Sequence, residues 1–190
     1  MPQRHILLVY GTGYGQTQKI AERMRDLLAE RSCLVTLVRG DQLHPEFSLA
    51  SFDGVIVGAS VNLSKHQRYV VRFVGDHIAE LNAMPSAFFS VSGSAGSAQE
   101  KERAAARRIL NDFLSSTGWK PRMSATIAGA IAFTKYNVVL RWFMKRISAR
   151  DGGSIDTSRD HEYTDWTQVQ RFVDDFVSIV SANRPVLAPV

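Results

Sequence analysis

A single cysteine, Cys33, among 190 residues excludes an internal disulfide. With no secretory signal at the N-terminus, the expected compartment is the reducing cytoplasm. No apolar run is long enough to span a bilayer. The five histidines, His5, His44, His66, His77 and His161, show no metal-ligand spacing, and Cys33 falls in or beside an apolar run where it makes a poor ligand, so no metal is expected. Internal repeats and low-complexity linkers are missing too. The expectation is one domain over residues 1–182 and a C-terminal tail over 183–190. With hydrophobic residues at 45% and charged residues at 22%, the composition is that of a folded globular protein.

Acidic residues are missing from one stretch. Residues 1–112 carry 13 basic and 11 acidic side chains, residues 113–150 carry seven basic and no acidic ones, and residues 151–190 carry three basic and seven acidic. The net charge of +5 is therefore concentrated in the middle block, which suits an anionic partner such as a lipid surface or an acidic ligand. On a helical wheel of residues 136–150, Val139, Leu140, Phe143, Met144 and Ile147 form an apolar side. Arg141, Lys145, Arg146 and Arg150 fill the rest, with Val138 and Trp142 among them. Basic side chains beside a tryptophan are what an anionic membrane surface attracts; the competing reading is an ordinary surface helix with one buried face. The block holds no recognised nucleic-acid-binding motif, so no nucleic-acid partner is expected.

Apolar runs at Ile6–Tyr10, Leu34–Val38, Gly54–Ser60, Ala87–Val91 and Thr126–Phe133 read as strands buried on both faces. Helical spacing lies between them. Ile20, Met24, Leu27 and Leu28 share one face; Val70, Phe73, Val74, Ile78 and Leu81 share a second. Ile109, Leu110, Phe113 and Leu114 mark a helix through roughly 98–117. A last helix starts near Thr164-Asp165, with Thr164 as its cap, and buries Trp166, Val169, Phe172, Val173, Phe176 and Val180. Pro45, Pro85 and Pro121 fall in connections. This alternation predicts an α/β, doubly wound parallel sheet with helices on both faces.

The first strand leads straight into "YGTGYGQTQKIA", Tyr10–Ala21. A Gly-rich turn at a helix start is an anion site, because backbone N–H groups point outward and the helix end is partly positive. Two named motifs are excluded. The P-loop needs Lys before its last Ser/Thr, and Gln16 precedes Thr17; the dinucleotide fingerprint needs a glycine where Gln16 stands. No basic residue lies inside the loop. An uncharged cradle flanked by Thr12 and Thr17 fits a phosphate monoester such as that of FMN; the alternative is a tight turn with no ligand. The loops after the third and fourth strands, "GASVNLSKH" (Gly58–His66) and "SVSGSAGS" (Ser90–Ser97), are small and polar, as loops that approach a planar ring closely would be, or as turns simply are.

The first loop resembles the phosphate loop of flavodoxin-like proteins. "MPSAFFSVS" (Met84–Ser92), "TGWKP" (Thr117–Pro121), "AGAIAFTKYN" (Ala128–Asn137) and "GGSIDTSRDHEYTDWTQV" (Gly152–Val169) resemble the bacterial menaquinone-dependent protoporphyrinogen oxidase family over nearly the whole chain. The resemblance implies a five-stranded flavodoxin-like sheet of order 2-1-3-4-5. It implies FMN at the carboxyl ends of the strands, oxidation of protoporphyrinogen IX, and menaquinone or another quinone as acceptor on the cytoplasmic face of the inner membrane. It assigns the phosphate loop to Thr12, Gly13, Tyr14, Gly15, Gln16 and Thr17. The ring-side loops fall to Ser60, Val61 and Asn62, and to Ser92, Gly93, Ser94 and Ala95. At Val61-Asn62-Leu63 and Ile131-Ala132-Phe133 the chain departs from the family pattern, which carries Arg and Tyr at those places. The competing functions are a flavodoxin-type electron carrier, against which the basic net charge argues, and an NAD(P)H:quinone reductase. A homo-oligomer is compatible with all three. No catalytic side chain is singled out, because flavin chemistry is carried mainly by the ring. Lys65, His66, Lys135 and Tyr136 fall near the expected ring, suited to a substrate propionate or, for His66, to proton relay, but read as ordinary surface.

Overall fold

The computed structural model describes residues 3–44, 46–131 and 161–183. The basic stretch 135–150 and the segment Gly152–Asp160 lie outside them, as does Pro45. Five strands form one parallel sheet: β1 (Arg4–Gly11), β2 (Cys33–Arg39), β3 (Gly54–Ser60), β4 (Ser86–Ser92) and β5 (Met123–Ala128), in the order β2-β1-β3-β4-β5. The helices are α1 (Gln16–Glu30), α2 (Arg68–Asp76), α3 (Ile78–Ala83), α4 (Glu100–Thr117) and α5 (Trp166–Ala182). The expected α/β, flavodoxin-like architecture is the one observed. Among the described residues no helix is long and apolar enough to cross a membrane.

Side chains alternate along each strand, so the sheet builds two cores. On one face Ile6, Leu8, Ile56 and Phe89 meet Ile20, Met24 and Leu28 of α1 and Phe172, Val173 and Phe176 of α5. On the other, Leu7, Val9, Val57 and Phe88 meet Val70 and Phe73 of α2, Leu81 of α3, and Leu110 and Phe113 of α4. A fully buried apolar side chain of this size contributes about 1.5–3 kcal/mol, which is why the central strands are apolar without interruption. Gly58 and Phe89 are register partners on β3 and β4, and the Phe89 ring occupies the space of a Gly58 side chain: a Cβ there would stand 1.9 Å from Phe89 Cζ.

Three expectations need correction. The run Thr126–Phe133 is not one strand. β5 ends at Ala128; Gly129 N then donates to Ser92 O (3.0 Å), and Ala130–Ile131 (β6) pairs antiparallel with His161–Glu162 (β7). The second apolar helix breaks at His77 into α2 and α3, next to Gly75, which disfavours helix continuation. The cap of α5 is Asp165 rather than Thr164: its carboxylate accepts from the amides of Thr167 (2.9 Å) and Gln168 (3.1 Å), the stronger arrangement because the acceptor is charged and meets the positive helix end.

Candidate functional site

All five strands point the same way, so the loops after β1, β3 and β4 emerge along one edge. The first, Thr12–Gln16, is held by its own amides. Gly15 takes φ 101°, in the left-handed region that glycine occupies without strain, and stands at the start of α1. Its N–H donates to Thr12 Oγ1 (2.9 Å), which closes the turn. Gly11 must lack a side chain, since a Cβ would lie 2.6 Å from Val70 Cγ2 and 2.7 Å from Gln67 Oε1.

Residues distant in sequence hold this loop to the rest of the edge. Gly13 N donates to Ser60 Oγ (3.1 Å), and Gln67 Nε2 donates to the same oxygen (2.6 Å). Thr12 N donates to Tyr69 Oη (3.2 Å). Gln16 Nε2 donates to Thr164 Oγ1 (2.9 Å), whose own hydroxyl donates to Ala128 O (2.8 Å). Below that point Lys19 pairs with Glu162, and Glu162 accepts from Trp166 Nε1 (2.8 Å). No acid occupies the first turn of α1 and no side chain caps it, so its amide end keeps its positive potential.

Thr17 is 1% exposed, and its hydroxyl has no hydrogen-bond partner. An unpaired buried hydroxyl costs about 1–3 kcal/mol. Beside the unpaired amides of a helix start, it is a donor waiting for an acceptor. The donor set is neutral, directional and oxygen-seeking, which fits the expected phosphate monoester.

The other expected site residues fall as follows. Val61 N donates to Val91 O (2.8 Å), tying the second loop to the third. Asn62 and Lys65 close a tight turn through mutual backbone bonds (2.8 and 3.0 Å), and its tip, Leu63 and Ser64, takes φ 48° and 61°. These are strained positions for residues with a Cβ. Leu63 is 91% exposed. Ser92 Oγ accepts from Ala95 N (3.2 Å), and Gly93 O from Gly96 N (3.0 Å), which folds the third loop into a short 3-10 turn over Ser94–Gly96. Tyr14 stands half-exposed at the loop's outer side. The edge thus brings together Thr12–Thr17, Ser60–Asn62 and Ser92–Ala95. Gln67, Tyr69 and Thr164 belong to it as well, and sequence reasoning missed them. No local pattern marks Gln67 or Tyr69, and Thr164 reads as a cap.

His66 is not surface. It is 7% exposed, bonded through Nε2 to Ser90 Oγ (2.9 Å), and packed on Phe88 and Phe113 at 5.3 and 4.9 Å between ring centroids. Burial lowers its pKa from 6.5 to about 4, so it is a neutral core residue at neutral pH. Lys135 and Tyr136 lie outside the described residues. Among the described residues no cluster of His, Cys, Asp or Glu is arranged to hold a metal.

The His66 shift has a pH consequence. Between pH 6.5 and 4 the unfolded chain takes up a proton that the folded protein refuses, so stability falls as pH drops through this window and is fully present above it. From pH 8 to pH 5 this amounts to about 2 kcal/mol. Urea denaturation at the two pH values should show a fall larger by that amount in the parent than in His66→Gln; equal falls would exclude a buried neutral imidazole.

Comparison with known proteins agrees with this architecture. The family model for the flavodoxin domain matches residues 7–158. A protoporphyrinogen IX dehydrogenase [quinone] from Leishmania major is 32% identical over 183 residues, covering 94% of this chain and 77% of its own. The protein of the same name from Escherichia coli K12 is 31% identical over 181 residues, covering 95% and 98%. The oxidised flavodoxin 1 of Bacillus cereus superposes with a TM-score of 0.55 at 15% identity, covering 92% of this chain and 97% of its own, a likeness of fold. A family model over most of the chain and two relatives above 30% identity, covered over 77% and 98% of their own lengths, make one assignment: the chain belongs to the flavodoxin-domain family of oxidoreductases, among the quinone-linked protoporphyrinogen IX dehydrogenases.

Proposed function

We propose that the protein is an FMN-dependent dehydrogenase that oxidises protoporphyrinogen IX to protoporphyrin IX and passes the electrons to a membrane quinone, menaquinone or a close analogue. The carrying observation is the buried, unpaired Thr17 hydroxyl at the amide-rich start of α1, in a chain whose full-length relatives bear that activity in their names.

FMN, when bound, supplies the redox chemistry, accepting electrons from the macrocycle and releasing them to the quinone. The chain's residues bind and position it. Thr17 Oγ1 and first-turn amides of α1 would hold its phosphate. Gly13, whose side-chain position is open but for Ser60 Oγ at 3.8 Å, would keep the loop backbone bare where the group approaches. Ser60, held by Gly13 N and Gln67 Nε2, fixes the second loop relative to the first, and the Ser92–Ala95 turn borders the ring from the third. Among the described residues near this edge, His66 is buried and neutral and Lys65 is exposed. A flavodoxin-type carrier would share this cradle, but the net charge of +5 does not suit docking on basic redox partners.

The cofactor assignment is tested at Thr17. Replacing it with Val removes a donor to a charged oxygen and should weaken FMN binding by about 1–3 kcal/mol, read by flavin fluorescence titration; unchanged affinity, or FAD in the purified protein, argues against the assignment.

The reaction is tested anaerobically by porphyrin fluorescence. Protoporphyrinogen should bleach the flavin, and turnover should depend on added quinone rather than on oxygen. Rapid bleaching by NADPH with none by protoporphyrinogen would instead identify an NAD(P)H:quinone reductase.

Access to the quinone assigns a role to the basic stretch 135–150, where each cation near an anionic bilayer contributes about 1 kcal/mol. A variant with Arg141, Lys145 and Arg146 changed to Gln should sediment less with anionic vesicles than the parent, and the difference should shrink with salt. Equal sedimentation of the two proteins would remove this stretch from membrane docking.

A further inference from the structure

The groove between α2 and α4 borders the candidate edge and has no role so far. It encloses about 820 Å³, within the roughly 300–1,000 Å³ of small-molecule sites. Val71, Ile109 and Phe113 supply an apolar lining. Tyr69 lines it as well, and the same Tyr69 hydroxyl accepts the Thr12 N–H of the phosphate loop, so groove and cradle share a wall.

The polar lining is cationic. Lys65, Arg68 and Arg72 border the groove, and none makes a side-chain hydrogen bond or ion pair among the described residues. Other cations are paired, Arg4 with Asp53, Arg31 with Asp174, Arg39 with Asp41, and Arg103 and Arg107 with Glu100. Lys101, Arg108 and Arg122 are unpaired as well among the described residues, so what sets this place apart is three unpaired cations lining one apolar groove. Arg68 and Arg72 are four residues apart on α2, neighbours on one helix face, where like charges repel and lower helix stability. Asp112, across the groove on α4, is a single opposing carboxylate. His66 also lines the groove, but its side chain is committed to Ser90 and adds no charge at neutral pH.

An apolar floor with an unpaired cationic rim has a complement: a molecule with an apolar body and more than one carboxylate. Burial of the body uses Val71, Ile109 and Phe113. The two guanidinium groups match carboxylates in geometry, and an arriving dianion relieves the repulsion between them.

We propose that this groove seats the carboxylate-bearing edge of the substrate, an amphipathic dicarboxylate, with Arg68 and Arg72 as its carboxylate partners. The proposal rests on the substrate class read above; a tetrapyrrole with two propionates fits it.

The test uses the FMN-loaded protein with mesoporphyrin IX, a stable porphyrin diacid, and its dimethyl ester as the neutral comparison. The parent should bind the diacid at least about tenfold more tightly than the ester, as charge-assisted pairs require. The Arg68→Gln/Arg72→Gln variant should lose most of that preference with its flavin content unchanged. Lys101→Gln/Arg108→Gln, on the exposed side of α4, removes the same charge outside the groove and should keep the preference. In turnover, the Arg68/Arg72 variant should raise the KM for protoporphyrinogen about tenfold and leave kcat within about twofold, since these groups act in binding rather than at the oxidised carbons. Equal affinity of the parent for diacid and ester, or equal loss in the two double variants, overturns the groove. Failure of the substrate reading looks different: protoporphyrinogen would leave the parent's flavin oxidised, while the comparison of diacid with ester would still report on Arg68 and Arg72.

Discussion

The parallel pairing of β1 with β2 on one side and β3 on the other sets where everything else can go. Parallel neighbours need a crossover back to the same end, and helices supply it, so both faces of the sheet are covered and the central strands must be apolar throughout. The same constraint makes every strand stop at one edge. Loops carrying glycines, serines and threonines are collected there without any need for the segments to be near in sequence. The fold does not choose the chemistry, but it dictates that chemistry has one place to happen.

Within that edge, the backbone carries more of the site than the side chains do. Gly11 admits Val70 and Gln67 where a Cβ would stand, Gly15 turns the chain into α1 in a left-handed conformation, and amides of three residues are spent on fixing the loop itself. What is left over, the hydroxyl of Thr17 and the helix-start amides, is neutral. Charge is kept one layer back, on Arg39 paired with Asp41 beside Tyr69, and on the groove between α2 and α4. A cradle without fixed cations binds by direction and number of hydrogen bonds, which discriminates shape more than charge.

Much of this was legible in the sequence because the signals are local. Strands buried on both faces read as unbroken apolar runs, and β3 coincides with the run Gly54–Ser60. The glycine-rich turn between β1 and α1 is a contiguous string, so its place in the fold could be read locally. What was not legible depends on contacts between distant residues. Ile131 looks like more strand until Gly129 is seen bonded to Ser92. Thr164 looks like a helix cap until Gln16 claims its oxygen and Asp165 takes over the cap. His66, in a polar loop, looks like surface until the turn at Leu63-Ser64 sends it inward onto Phe88 and Phe113. Gln67 and Tyr69 carry no local mark at all. For Ile131, Thr164, His66 and Tyr69, the deciding contacts run between segments more than twenty positions apart.

The bond from Gln16 to Thr164 joins residues 148 positions apart, and α5 behind it shares one face of the sheet with α1. Synthesis reaches β1 and the glycine loop well before Thr164, so the brace for that loop is made 148 positions after the residue it holds. A chain cut short before Thr164 would carry the entire glycine loop and lack the bond that holds its Gln16 side to β5.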